Sequence, residues 1–235
     1  MQLADQYPGD PGVLVSLLMN RVILEPGQAL YLPAGNLHAH LMGTGVEIMT
    51  NSDNVLQGGL TTKHVDIPEL GRVVHFRPVT VDVLDGIPDA SGVRLYPVPT
   101  AQFSLSRLDL SGSARWLWHD GPQVLLVVQG SVAARDGAGS SVAVPQGGSL
   151  WIPPGYPGLS VSGHGQVSGR PTVYGASPRS RRSIINVAHR DRLTHCADDD
   201  PRSRFISSVL RRSYVLYVVD FDHDGTAKGV VGADI

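Results

Sequence analysis

Short apolar runs separated by turn residues fill the first three quarters of the chain. VILEPG, ALYLPAG, QVLLVVQG, SSVAVPQGG and SLWIPPG each hold a strand-length stretch rich in Val, Ile or Leu, closed by Gly or Pro. Such runs read as β-strands, and their succession predicts an all-β sandwich or barrel. Two stretches depart toward helix. Residues 10–20, DPGVLVSLLMN, offer Asp10 as an N-cap with Pro11 at the first helical position. Residues 67–74, IPELGRVV, suit a short helical turn.

One pattern occurs twice. Gly27, five residues, Pro33-Ala34-Gly35, two residues, His38 is the first copy; Gly147, five residues, Pro153-Pro154-Gly155, two residues, Gly158 is the second. A repeat in register implies a repeated structural unit: a tight turn, a strand, then a second turn that delivers one side chain into a barrel mouth. That side chain is an imidazole in the first copy and a hydrogen atom in the second. The G-x5-P-x-G-x2-H spacing resembles the second motif of the cupins, small β-barrels that often hold a metal.

His38 and His40 alternate along one strand and share a face. After GTG the next strand carries Glu47. A two-residue hairpin turn at Gly43-Thr44 would set His40 opposite Glu47 and put all three side chains on one face. A three-residue turn would flip Glu47 to the other face. Sequence leaves both open. Zinc needs three or four N, O or S donors, so His38 is the candidate ligand, with His40 and Glu47 conditional on that register.

Residues 7 to about 76 carry a longer resemblance, clearest over 23–70. ILEPGQALYLPAGNLHAHLMGTGVEIMTNSDNVLQGGLTTKHVDIPEL is similar to the central signature of type I mannose-6-phosphate isomerases, with a weaker likeness continuing to about residue 176. The resemblance implies a cupin (jelly-roll) β-barrel fold with few short helices. Residues 1–76 would be half of an incomplete central metal-binding barrel, 77–176 a second, metal-less cupin domain, and 177–235 a divergent, partly disordered tail. It implies that His38 binds zinc and that Glu47, Asp53 and Lys63 occupy polar active-site positions. Three residues depart from the family pattern: Gln57 replaces an arginine that faces the substrate, His40 replaces a tyrosine, and Thr62 replaces a proline. The implied chemistry is interconversion of mannose 6-phosphate and fructose 6-phosphate by zinc-assisted proton transfer through an enediol. Loss of the arginine charge weakens stabilisation of that oxyanion.

The resemblance also places the family's other zinc ligands, a Gln-x-His pair and a glutamate, N-terminal to this region. The chain is therefore expected to be a truncated form, weakly active or inactive alone, and its strands around ALYLPA and GVEIM are expected to present unpaired edges. A non-catalytic cupin remnant or sugar-phosphate-binding protein is the alternative.

Composition narrows the partners. Among 235 residues, 42% are hydrophobic and 17% charged, with net charge −2. That balance gives no reason to expect nucleic acid, and no apolar run is long enough for a spanning helix. The partner expected is a small sugar phosphate, with no nucleic acid, no membrane and a monomeric chain. Cys196 is the single cysteine, which together with an N-terminus lacking a secretory pattern suits the cytoplasm. The tail holds more than half of the basic residues and lacks apolar periodicity until SYVLYVVDFD. Asp220, Asp222, Asp224 and Gly225 match the start of a calcium loop, but its twelfth position is Val231, so a solvated acidic loop is the expectation there.

Overall fold

Each apolar run that ends in a turn residue becomes a strand in the computed structural model, which describes residues 2–50, 55–112, 114–117, 121–156, 158–164, 172–178, 183–188, 207–210, 215–220 and 229–233. The chain divides into two compact units, Met1–Leu84 with Ile184–Ile235, and Asp85–Ser183. Among the described residues the first unit begins with α1 (Gln2–Gln6) and α2 (Gly12–Ser16), followed by β1 (Asn20–Leu24), β2 (Gln28–Leu32), β3 (His38–Met42), β4 (Thr44–Thr50), β5 (Val55–Gly59), α3 (Ile67–Val73) and β6 (Val83–Asp85). The second holds β7 (Ile87–Pro88), β8 (Arg94–Leu95), β9 (Phe103–Asp109), β10 (Arg115–Leu117), β11 (Gln123–Gln129), β12 (Ser131–Asp136), β13 (Ser141–Pro145), β14 (Ser149–Ile152), β15 (Leu159–His164) and β16 (Thr172–Pro178). Returning to the first unit, the chain adds β17 (Ser183–Ala188), β18 (Ser207–Leu210), β19 (Val215–Asp220) and β20 (Gly229–Ala233). No described helix is long and apolar enough to cross a membrane.

The first of the two expected helices is shorter than the sequence suggests, while the second forms over Ile67–Val73. The stretch 10–20 yields only one turn and a half, because Asn20 already enters β1. Asp10 still serves its start: its Oδ1 accepts the Gly12 N–H at 2.7 Å. Asp66 caps α3 through Oδ1, which accepts from the Glu69 N–H at 3.0 Å, with Pro68 in the first turn.

In the first unit two five-stranded sheets form, ordered β1-β20-β3-β18-β5 and β17-β4-β19-β2-β6. The edges expected to be bare are paired. Strand β19 lies between β2 and β4, aligning Tyr217 with Leu30 on one side and with Glu47 on the other. The reason is that the tail contains strand-length, β-branched runs such as VLYVVD and GVVGA, and these supply the missing ladder bonds. Residues 179–182, within SPRSRRS, and 221–228, which hold Asp222 and Asp224, lie outside the described residues, as do 189–206, 211–214 and 234–235. Buried Leu24, Leu30, Leu32, Val46 and Ile48 fill this unit's interior, while Leu37 and Val73 form a smaller cluster with Val15, Met19, Leu56 and Leu70 that seats α3 beside the entry to β3.

The second unit repeats the design with sheets β10-β15-β12-β13 and β14-β11-β16-β9-β8-β7. Its hydrophobic core is built from Leu108, Leu110, Leu125, Val127, Val132, Ala134, Val144, Ile152, Leu159 and Val161. Trp151 stands exposed at its rim.

The sequence repeat is a structural repeat. In the first copy β2 runs through Pro33-Ala34-Gly35 into β3, which belongs to the other sheet; in the second, β14 runs through Pro153-Pro154-Gly155 into β15, again in the other sheet. The glycines correspond in conformation: φ is +87° at Gly27 and +78° at Gly147, +85° at Gly35 and +76° at Gly155. At the delivering position, Gly158 takes φ +98° and contributes no side chain, whereas His38 begins β3.

Gly35 is constrained twice. Its φ favours glycine, and a Cβ there would sit 2.7–2.9 Å from the His75 ring, which is tied in place by the His75 N–H bond to the Gly35 carbonyl at 3.0 Å. Gly35→Ala should therefore destabilise the chain by about 1–3 kcal/mol in urea unfolding. Adding His75→Ala should recover the steric part and leave the backbone part. Equal stability of Gly35→Ala and the parent chain would show that neither constraint operates.

Candidate metal centre

The turn sequence LPAGNLHAH delivers its first histidine into the interior. Leu37 packs into the small cluster beside α3, which holds the entry of β3, and His38 then points inward at 2% exposure. The Asn36 carbonyl oxygen lies 3.3 Å from His38 Nδ1. A carbonyl only accepts, so Nδ1 carries the hydrogen and Nε2 keeps its lone pair free for a cation. This backbone contact is the kind of support that orients metal-binding histidines. Two residues on, His40 shares the face, its ring centroid 6.0 Å from that of His38.

Glu47 reaches the same point by a route the sequence does not reveal. Strands β3 and β4 are not a hairpin. They belong to different sheets, and Gly43, at φ +109°, carries the chain across. Neither turn register considered from sequence applies. The carboxylate arrives from the opposite sheet, and a ligand atom from each of His38, His40 and Glu47 lies within 4.8 Å of the others.

Burial sets the charge state of this cluster. Desolvation holds the His38 imidazole below its usual range, partly opposed by the bond to Asn36. His40 is lowered to about 3 by desolvation and then by the neighbouring His38. Glu47 is raised to about 7 by desolvation. Near neutral pH both imidazoles are thus uncharged, the form in which histidine binds metal. Two imidazoles and one carboxylate form the donor set of a catalytic zinc site that keeps a fourth position open. A tetrahedral site with such ligands spaces its donor atoms by roughly 3.4 Å, and the three donors here lie within 4.8 Å of one another. A divalent cation would also neutralise the desolvated carboxylate. The donor set fits zinc.

Of the other residues singled out by sequence, Gln57 lies on β5. Ser208 of β18 is the ladder partner of both His38 and Gln57, so these two occupy one row across three strands, roughly 10 Å apart at the spacing of a sheet. Lys63 is exposed on the loop after β5, its backbone N–H donating to Thr61 Oγ1 at 3.1 Å. Asp53 lies outside the described residues. Two contributors escaped sequence reasoning: the Asn36 carbonyl, because every residue has one, and the tail strands that flank the ligand-bearing strands, because register across a long loop leaves no local signal.

Fold and site together define an all-β protein of two double-sheet units, with a buried His-His-Glu cluster in the first. No protein-family model matches the chain. Over 167 residues it is 35% identical to the mannose-6-phosphate isomerase of Escherichia coli, covering 71% of this chain and 42% of that protein. Mannose-6-phosphate isomerase 2 of Arabidopsis thaliana is 37% identical over 155 residues, 65% of this chain and 35% of the relative, and the Bos taurus enzyme is 35% identical over 160 residues, 65% and 38%. The chain is a homologue of mannose-6-phosphate isomerases and spans about two fifths of the length of these curated relatives. Among solved structures, a point mutant of Salmonella typhimurium phosphomannose isomerase aligns with TM-score 0.47 and 26% identity over 55% of this chain and 32% of that one. The mannose 6-phosphate isomerase of the same organism, bound to fructose 6-phosphate and zinc, aligns with TM-score 0.45 and 25% identity over 54% and 31%.

Acid stability reads the buried histidines directly. Between about pH 6.5 and 3 the unfolded His40 holds a proton that the buried ring refuses, so the unfolded state binds more protons and stability falls as pH drops through that window. Glu47 acts in the opposite sense. Its buried carboxyl keeps a proton up to about pH 7 where the unfolded one has lost it above 4.5, so its contribution falls as pH rises from 4.5 to 7. Measured as urea midpoints of the metal-free chain between about pH 4 and 6.5, the slope of stability against pH should fall by about one proton in His40→Asn. An unaltered slope would mean that His40 is not held neutral.

Proposed function

We propose that the first unit is the metal centre of an aldose–ketose isomerase that interconverts mannose 6-phosphate and fructose 6-phosphate. The observation that carries this reading is the meeting of His38, His40 and Glu47 from two sheets, in a chain whose curated relatives are mannose-6-phosphate isomerases. His38, His40 and Glu47 would hold zinc. When bound, zinc supplies a Lewis acid beside the oxyanion that develops as a proton moves between C2 and C1 of the sugar.

The chain's own residues divide the remaining work. The Asn36 carbonyl fixes the His38 tautomer. The apolar sheet interior around Val46 and Ile48 keeps water from the cluster and strengthens each polar contact within it. Gln57, in the row of His38, offers amide hydrogen bonds to a sugar oxygen without the charge of an arginine, and loss of such a charged donor costs about 100-fold or more in rate. Lys63, exposed on the loop after β5, supplies a positive charge for a phosphate.

Gln57 favours a second reading, in which the site retains metal and sugar phosphate but not turnover. Zinc titration and a coupled isomerase assay separate the two. Zinc should bind at one site, and His38→Ala or Glu47→Gln should each weaken it about tenfold or more. Turnover of mannose 6-phosphate that is lost with chelator and raised about tenfold by Gln57→Arg supports the isomerase. Zinc and mannose 6-phosphate binding with no turnover, unchanged by Gln57→Arg, would instead establish the binding protein. No zinc binding would remove the metal centre altogether.

A further inference from the structure

The three candidate ligands share a feature that nothing in the local sequence announces. Every one of them has its ladder partner in the C-terminal segment. His38 is aligned with Ser208 of β18 and with Ala233 of β20; His40 is aligned with Val231 of β20; Glu47 is aligned with Tyr217 of β19. The dependence reaches beyond the ligands. In the order β1-β20-β3-β18-β5, no two of β1, β3 and β5 are neighbours, and β2 and β4 meet only through β19. Among the described residues, removing β18, β19 and β20 would leave the ligand-bearing β3 with no ladder at all.

We infer that docking of the C-terminal strands and metal binding at His38, His40 and Glu47 form one linked equilibrium, the C-terminal segment acting as the positioning element of the metal centre. The inference rests on the metal reading above. Strands β18 to β20 are remote in sequence from the strands they join, and closing so long a connection opposes docking. Segments of this kind open sub-globally while the rest of a protein stays folded. Once β19 leaves, β4 loses its ladder to β2, and Glu47 is no longer aimed from one sheet at histidines on the other. A cation that needs all three donors binds only the docked state. It therefore draws the strands in, and by reciprocity the strands raise its affinity.

Hydrogen exchange of the full chain, with and without zinc, tests this. At free zinc about 100 times its dissociation constant, the amides of β18, β19 and β20 should exchange about 100-fold more slowly. Those of β11 and β16 in the second unit should not change. A second arm uses Tyr217→Pro, which places proline in an interior strand and removes a ladder bond; zinc should bind at least tenfold more weakly. If zinc binds and protection of the C-terminal strands stays the same, the linkage is overturned while the metal centre stands. If the full chain takes up no zinc, the metal centre itself fails, and the linkage falls with it. Should Tyr217→Pro unfold the first unit, the exchange comparison on the unaltered chain still decides the matter.

Discussion

The backbone ladders between the C-terminal strands and the strands near the N-terminus hold the first unit together. Both of its sheets are interleaved, with remote strands inserted between local ones. Each insertion satisfies backbone N–H and C=O groups that would otherwise be buried without partners, at a penalty of order 1–3 kcal/mol for each group left unmade. Cooperativity follows, since among the described residues β3 has ladder partners only in β18 and β20. The buried Leu24, Leu30, Val46 and Ile48 contribute the hydrophobic free energy of the unit, but only the inserted strands let the backbone that carries those side chains be dry.

A dry interior then dictates the chemistry of the cluster. Taking two imidazoles and a carboxylate out of water shifts each toward its neutral form, downward at His38 and His40 and upward at Glu47. Unoccupied, such a cluster is a liability: three polar groups in an apolar sandwich. Occupied by a divalent cation it becomes self-consistent, because the neutral imidazoles donate lone pairs and the carboxylate gains a counter-charge. The contact from Asn36 to His38 is already set for that state, since it commits the hydrogen to Nδ1.

The second unit shows the same backbone device without the chemistry. Its turn at Pro153-Pro154-Gly155 matches the first in strand placement and in glycine conformation, yet Gly158 delivers nothing, and ten apolar residues fill the interior. The delivering position there has no side chain, and Leu125, Val127 and Val161 are all fully buried in the interior. The comparison isolates what His38 contributes: an imidazole, delivered at one turn, to the cluster that His40 and Glu47 complete.

The strands, the repeat, His38 as a candidate ligand and the kinship to mannose-6-phosphate isomerases were legible in sequence, because each depends on local signals: alternation of apolar and polar residues, glycine and proline at fixed offsets, a long run of matching residues. The partnership of His38 with Glu47 was legible only as a choice between two hairpin registers, and the structure takes neither, for Gly43 sends the chain to the other sheet. The strands of the tail were visible only as a late apolar run, their destination not at all. Sequence by itself determined which residues could form strands and which could ligate. Tertiary structure alone decided which strands became neighbours and hence which donors meet, because ladder partners and sheet-to-sheet contacts join residues far apart in the chain, and their selection depends on the free energy of the whole assembled interior.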